Sequence, residues 1–282
     1  MVERSVTELD KSTVLAGLFA CWDSIDELLG GLPEKGWQEL TPLPGWRVHD
    51  VVAHLIGVES MLLGVSLPDD ITDFLALDHV RNDIGAMNER WVRHLSAYSA
   101  ADLHARFQAV TSERRPTLTD LSAQDWNAVT MTPAGPDSYG RFMRIRVFDC
   151  WMHEQDIRDA VHRPASDASL QGLAAQLALD ELQASMGFVV GKLGKAPDGS
   201  RVVFDLTGPL ARTIRVVVDG RAQLVDDFDG HAPTVTIRLD GRLFTRLAGG
   251  RVRDVPADSG DIELTGDKEV AARIVEHLNF VI

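Results

Sequence analysis

The helix expected over Tyr139–Val161 carries acids and an imidazole where a packed helix face should be apolar, and that conflict limits what the chain can fold into. At about 100° per residue, Phe142, Ile145, Asp149, Met152, His153, Asp156 and Ala160 project onto one stripe, and three of these side chains ionise. An unpaired carboxylate is expensive to bury. A soluble helix keeps such a stripe only where its polar groups bind one another, a metal or a ligand. The stripe therefore requires other helices to close around it, and it marks a site.

The surrounding pattern supplies those helices. Apolar residues recur three and four apart from Ser12 to about Val190, with turn signals between segments, which predicts five or six helices. The first runs from Ser12 to Leu29 and ends at Gly30, Gly31 and Pro33. After a loop with Thr41, Pro42, Pro44 and Gly45, the second covers Val48 to Val65, and a third and fourth fill Leu75 to Ser112. Met131 to Ser138, with Pro133, Gly135 and Pro136, reads as a loop into the long helix, which Pro164 stops. A further helix covers Leu170 to Val190.

At Gly191 the texture changes. GKLGKAPDGS is a connector over residues 191–200, so residues 1–190 are expected to form a helical domain and residues 201–282 a second domain. Arg201–Leu206, Thr213–Val218, Ala222–Val225, Thr234–Leu239 and Ile262–Thr265 read as strands, with Asp219 and Gly220 as a hairpin turn. Leu243–Ala248 and Lys268–Phe280 read as helices, which makes this part an α+β module. A chain of 282 residues, 45% hydrophobic, is more readily served by two modest cores than by one.

Charge and cysteine content narrow the function classes. With 28 Lys and Arg against 42 Asp and Glu, the net charge of −14 repels a phosphate backbone, so no nucleic-acid partner is expected. Cys21 and Cys150 are far apart and lack the paired spacing of a zinc knuckle or redox motif, which fits a reducing cytoplasm. Met1 to Lys11 has no apolar core of a secretory signal, and no later apolar run could span a bilayer. The expectation is a soluble cytoplasmic protein, monomer or homodimer, with no membrane partner.

Asp149 and His153 stand at i and i+4, so their side chains can converge on one point. A metal would need a donor from another helix. His54, at the edge of the stripe formed by Val51, Leu55, Val58 and Leu62, is the best candidate, and two imidazoles with one carboxylate suit an open zinc or iron site. Other readings stand beside this one: His54 as a satisfied interior histidine, and Asp149 with His153 as a hydrogen-bonded couple that orients two helices. Asp156, one turn on, either holds an imidazole in its ligating tautomer or pairs with Arg144, Arg146 or Arg158. Cys150 is rotated off the stripe as packing, and Glu154 is expected to face solvent.

WQELTPLPGWRVHDVVAHL at Trp37 to Leu55, TPAGPDS at Thr132 to Ser138 and DCWMHEQDIRDAVHRP at Asp149 to Pro164 resemble the helical domain of the mycothiol-dependent maleylpyruvate isomerase family. That domain is a DinB-like four-helix bundle. DGRLFTRLAGGR at Asp240 to Arg251 and GDIELTGDKEVAARIVEHL at Gly260 to Leu278 resemble the sterol carrier protein-like domain that closes many such chains. The resemblance implies a divalent metal, usually zinc, held by His54, Asp149 and His153. In one respect the chain departs from the isomerase, which has Glu where Asp149 stands, a ligand longer by one methylene.

The resemblance further implies a low-molecular-weight thiol, mycothiol or a similar one, as cosubstrate. In such enzymes the thiolate adds to an activated cis double bond, the bond rotates and the thiol leaves, or the thiol stays attached as a conjugate. An acidic substrate needs a cation, for which Arg81, Arg144 and Arg246 are the candidates. Trp46 and Trp151 are candidate walls. The expected function is thus a metal- and thiol-dependent isomerase or S-transferase acting on a small electrophile or unsaturated acid. The rival expectations are a hydrolase that uses water on the metal, and a non-catalytic binding or stress-associated protein.

Overall fold

The structure is a computed structural model that describes residues 6–68, 72–77, 80–252, 255 and 260–280. Residues 1–5 of the N-terminal stretch and residues 78–79 of the expected Leu75–Ser112 helices lie outside the described residues. The chain divides into two compact units, Met1–Ala165 and Ser166–Val281.

The first unit is helical. It runs through α1 (Lys11–Gly30), α2 (Glu34–Trp37), α3 (Val48–Leu62), α4 (Asp83–Leu95), α5 (Ala100–Thr119) and α6 (Ala123–Trp126). A hairpin of β1 (Val129–Thr132) and β2 (Gly135–Ser138) then leads to α7 (Tyr139–Ala160). α1 packs on α7 and α5, while α3 packs on α5, α7 and α4, so four long helices enclose one core. Leu18, Ile25, Val51, Val52, Leu103, Phe107, Met143 and Val147 fill it. Where α3 meets α4, a Cβ on Gly57 would lie 2.5 Å from Trp91 Cγ, so only glycine permits that approach.

The segment 131–138 is not the expected loop. Thr132 pairs with Gly135 and Met131 with Pro136, leaving Pro133 and Ala134 as a two-residue turn. The prolines mislead here because one occupies the turn and the other lies in a strand that, among the described residues, pairs with β1 alone. Ser138 then caps α7, its hydroxyl accepting from the Arg141 amide.

The second unit begins earlier than the connector at 191–200. α8 (Asp167–Leu170), α9 (Leu173–Ala184) and α10 (Met186–Phe188) replace the single expected helix Leu170–Val190, and a π-helical turn follows over Val189–Leu193. α10 packs on the edge of the sheet and α9 on a helix of the sheet layer, which puts the break in contacts at Ala165/Ser166. Helical periodicity says that a segment has an apolar face but not which core covers it.

The sheet is the mixed layer expected. β3 (Arg201–Thr207), β4 (Arg212–Asp219), β5 (Arg221–Leu224), β6 (Val235–Asp240) and β7 (Ile262–Gly266) form it in the order β5-β4-β3-β6-β7, antiparallel except for β3 with β6. Val202, Phe204 and Leu206, with Ile214, Val216, Val235 and Ile237, point to the core by strict alternation. α11 (Gly241–Ala248) and α12 (Lys268–Glu276) cover that layer. The β4–β5 turn needs a left-handed residue and has Gly220, with φ 64°.

Candidate metal centre

Three elements of the first unit build the site. α3 carries His54, α7 carries Asp149, His153 and Asp156, and the turn before α3 carries Trp46. That turn is pinned, since the Thr41 amide and hydroxyl both donate to the Trp46 carbonyl (3.0 and 2.8 Å) and Gly45 adopts φ 81°. The Trp46 indole packs against both imidazoles, with centroids 5.4 Å from His54 and 6.3 Å from His153. The two imidazoles meet edge to face at 4.8 Å.

Asp149 lies between them. Its Oδ2 is 3.3 Å from His54 Nε2 and its Oδ1 is 3.4 Å from His153 Nε2. One donor atom from each of the three residues falls within 4.8 Å of the others. Both histidines are buried, whereas the Asp149 side chain remains 29% exposed, which leaves the acid as the open edge of the site.

Electrostatics sharpens the arrangement. Burial works against the charge on Asp149, but the Arg146 guanidinium and the two imidazoles outweigh it and hold the carboxyl well below the usual carboxylate range. Burial pushes His54 below its ordinary value, with Asp149 pulling the other way. For His153 burial again disfavours the cation, yet Asp149 and Asp156 overcome it and raise the pKa. The difference has a geometric source: His153 Nδ1 donates to Asp156 Oδ2 at 3.0 Å, while the buried Nδ1 of His54 has no hydrogen-bond partner among the described residues.

The donor set fits a divalent cation. Tetrahedral bonds of about 2.0–2.1 Å place donor atoms roughly 3.3 Å apart; His153 Nε2 stands 3.4 Å from Asp149 Oδ1, His54 Nε2 stands 3.3 Å from the other oxygen of that carboxylate, and one donor atom of each residue lies within 4.8 Å of the others. A proton on His153 Nδ1, directed at Asp156, leaves the Nε2 lone pair facing Asp149 and any ion beside it. Two neutral imidazoles and a carboxylate are borderline donors of the kind zinc and iron accept.

The site does not occupy the most buried face of α7. Met143, Val147, Cys150, Glu154 and Ile157 form the interior stripe, while Phe142, Ile145 and Asp149 are only half-buried. α1 packs along α7 on one side and α3 on another, so two stripes are covered rather than one. Glu154 is consequently not the solvated residue expected: it is buried, and accepts from the Ser24 hydroxyl (2.7 Å) and Arg158 Nε (2.8 Å). Burial also pushes the Cys150 thiol up to about 12, in keeping with packing rather than ligation.

Behind the triad stands a buried array of charges that the sequence reading did not pick out. Arg146 donates from Nη1 to Asp149 Oδ2 and from Nε to Glu59 Oε1 (3.0 Å). The other Glu59 oxygen accepts from Arg114 Nε at 2.8 Å, and Arg114 also reaches the Tyr139 hydroxyl at 3.2 Å. A signal for both partners was present. Glu59 falls on the buried stripe of α3 with Val48, Val52 and Leu55, and Arg114 on that of α5 with Leu103, Phe107, Val110 and Leu118.

The three candidate substrate cations are spread along the chain. Arg81 is exposed just before α4, Arg144 is buried on α7, and Arg246 lies on α11 of the second unit. Trp151 is buried core. An open groove of 510 Å³ in the second unit, bordered by Phe188, Lys192, Asp198 and Arg221, contains none of the triad. The chemistry is located by the converging donors instead, because a cation needs ligands rather than volume.

Fold and donor set together define a helical protein with a His, Asp, His centre, followed by a small sheet unit. The chain belongs to the mycothiol maleylpyruvate isomerase family, whose N-terminal domain profile matches residues 18–158 and whose MDMPI C-terminal domain profile matches residues 155–273. The crystal structure of the mycothiol-dependent maleylpyruvate isomerase superposes with a TM-score of 0.57 at 15% identity, covering 91% of this chain and 93% of that one. Two curated relatives, the uncharacterized proteins MT0041 and Rv0036c of Mycobacterium tuberculosis, are each 25% identical over 206 residues, which is 72% of this chain and 76% of theirs. Among the described residues no helix is long and apolar enough to cross a membrane.

Proposed function

We propose that the chain is a metal-dependent, thiol-using isomerase or S-transferase that acts on a small electrophilic or unsaturated acid, with His54, Asp149 and His153 as the ligands of a zinc ion. The observation that carries this reading is the convergence of two buried imidazoles on one partly open carboxylate. A bound zinc ion would favour the thiolate of a mycothiol-like cosubstrate at neutral pH and so supply the nucleophile.

The chain's own residues do the rest. Asp156 keeps His153 in the tautomer that presents Nε2, and Trp46 walls the two imidazoles so that neither ring turns away. The half-open Asp149 edge is the route by which small molecules reach the centre. Arg81 and Arg144, on the unit that carries the triad, are the cations proposed to hold the acid group of the substrate, and mycothiol-dependent isomerisation by the structural neighbour supports maleylpyruvate as the first probe. The working protein is taken to be cytoplasmic, where low-molecular-weight thiols are kept reduced.

Elemental analysis paired with turnover tests the reading. Zinc-loaded wild type should hold about one ion per chain and convert an unsaturated acid only when thiol is present, and His54→Ala and His153→Ala should lose both properties. Full activity in chelated protein, or hydrolysis of an ester without thiol, would defeat it.

A further inference from the structure

The carboxylate of the triad is not free to offer its whole charge to an ion. Arg146 occupies Asp149 Oδ2, and its other two nitrogens are engaged as well: Nε and Nη2 on Glu59 Oε1 at 3.0 and 2.9 Å, and Nη2 also toward Cys150 Sγ at 3.6 Å. Glu59 is in turn held by Arg114, and Glu59 and Arg114 are each only 1% exposed. From α5 through α3 to α7 the charges alternate as Arg114, Glu59, Arg146 and Asp149, two positive and two negative, which sum to zero. The guanidinium is thus buried and held between Glu59 and Asp149.

On the metal reading above, we propose that Arg146, braced by Glu59 and Arg114, cancels the charge of Asp149, so that a cation at His54, Asp149 and His153 meets three effectively neutral ligands. Arg146 is thus a positioning residue that acts through Asp149. It holds one carboxylate oxygen and leaves the other beside His153 for the ion. Such a centre binds its ion less tightly but keeps nearly the full double positive charge for an anionic ligand, and that suits a thiolate.

Two opposed effects decide the test. Loss of a group that orients a ligand lowers metal affinity about 10- to 100-fold. Removal of a buried positive charge a few ångströms from a dication acts the other way, and at an effective dielectric of about 20 it is the larger effect. Arg146→Met should therefore bind zinc at least tenfold more tightly than wild type (~10-fold or more), as read by competition with a chromophoric chelator. Arg146→Lys keeps the charge but cannot fork between Glu59 and Asp149, so it should bind more weakly than wild type. Glu59→Gln leaves Arg146 less compensated and should also weaken binding.

Arg114→Gln lies outside the direct contact and should tighten binding by a smaller factor, which provides a second charge-removing variant if Arg146→Met does not fold. Tighter binding where a positive charge is removed (Arg146→Met, Arg114→Gln) with weaker binding in Arg146→Lys and Glu59→Gln supports the proposal, because a purely structural role would weaken binding in all of them. Weaker or unchanged binding in Arg146→Met, or in Arg114→Gln where the former does not fold, overturns it. Absence of zinc binding in wild type would instead remove the metal reading itself, so the two failures are told apart.

Discussion

The two units are built on opposite principles. Within the first, Glu59, Arg114, Arg146, His54, His153, Glu154 and Asp156 are buried among apolar helices; within the second, Glu181 alone of the ionisable side chains falls among the buried described residues. The sheet unit follows its alternation without exception in β3, where Val202, Phe204 and Leu206 are inward and their neighbours half-buried. The core of the sheet unit is nearly uniformly apolar among the described residues. The helical core accepts charges, and each is retained because the next one compensates it.

The contrast can be broken most directly at its largest effect. Glu59→Ala strands two buried guanidiniums, and urea unfolding should show a loss of about 3–5 kcal/mol. Phe204→Ala should cost a similar ~3–5 kcal/mol by opening a cavity in the sheet unit. The two should differ in character: the Phe204 loss should be the same at pH 6 and pH 8, since no titrating group is touched. A Glu59→Ala loss under 1 kcal/mol (~1 kcal/mol) would mean that the charge array carries little of the first unit's stability.

A smaller effect sharpens the comparison inside the site. The raised pKa of His153 means that its stabilising contribution to the metal-free fold is complete below the unfolded imidazole value and disappears as pH rises through the folded one. In chelator, the stability gap between wild type and His153→Phe should therefore be wider at pH 6 than at pH 8, by on the order of 1 kcal/mol. The pKa of His54 is lowered, so its contribution is present above the unfolded value and is lost as pH falls. The gap between wild type and His54→Phe should widen from pH 6 to pH 8, and equal behaviour of the two histidines would contradict the asymmetry set by Asp156.

The smallest expected change lies at the surface. Met131 is 70% exposed on the β1–β2 hairpin, and Met131→Thr should alter stability by less than about 0.5 kcal/mol. A larger loss in thermal unfolding would show that the hairpin packs against something in solution.

How much of this was legible depended on the range of the interaction. The i, i+4 spacing of Asp149 and His153 is a property of any helix, and the i, i+3 contact of Asp156 with His153 is equally local, so both could be read from spacing. The strands and a turn at Gly220 were legible for the same reason, although Asp219 pairs with Arg221 as a strand residue instead of sharing the turn. Glu154 was misassigned because a helix wheel shows which residues share a face but not how many faces neighbours will cover. The 131–138 hairpin was missed because Pro and Gly mark turns without saying whether the flanking residues pair.

The sequence by itself determined the family, the mostly helical architecture with a small sheet unit, and three residues able to bind a cation, since each depends on periodicity or motif along the chain. Only the tertiary structure decided that Glu59 and Arg114 stand behind Arg146, that one oxygen of Asp149 is already engaged, and that the units part at Ala165/Ser166. The first two come from the approach of α3, α5 and α7 to within hydrogen-bond range, and the third from the contacts of α9 and α10 with the sheet layer. Such distances are set by how whole helices pack, and no local pattern encodes them.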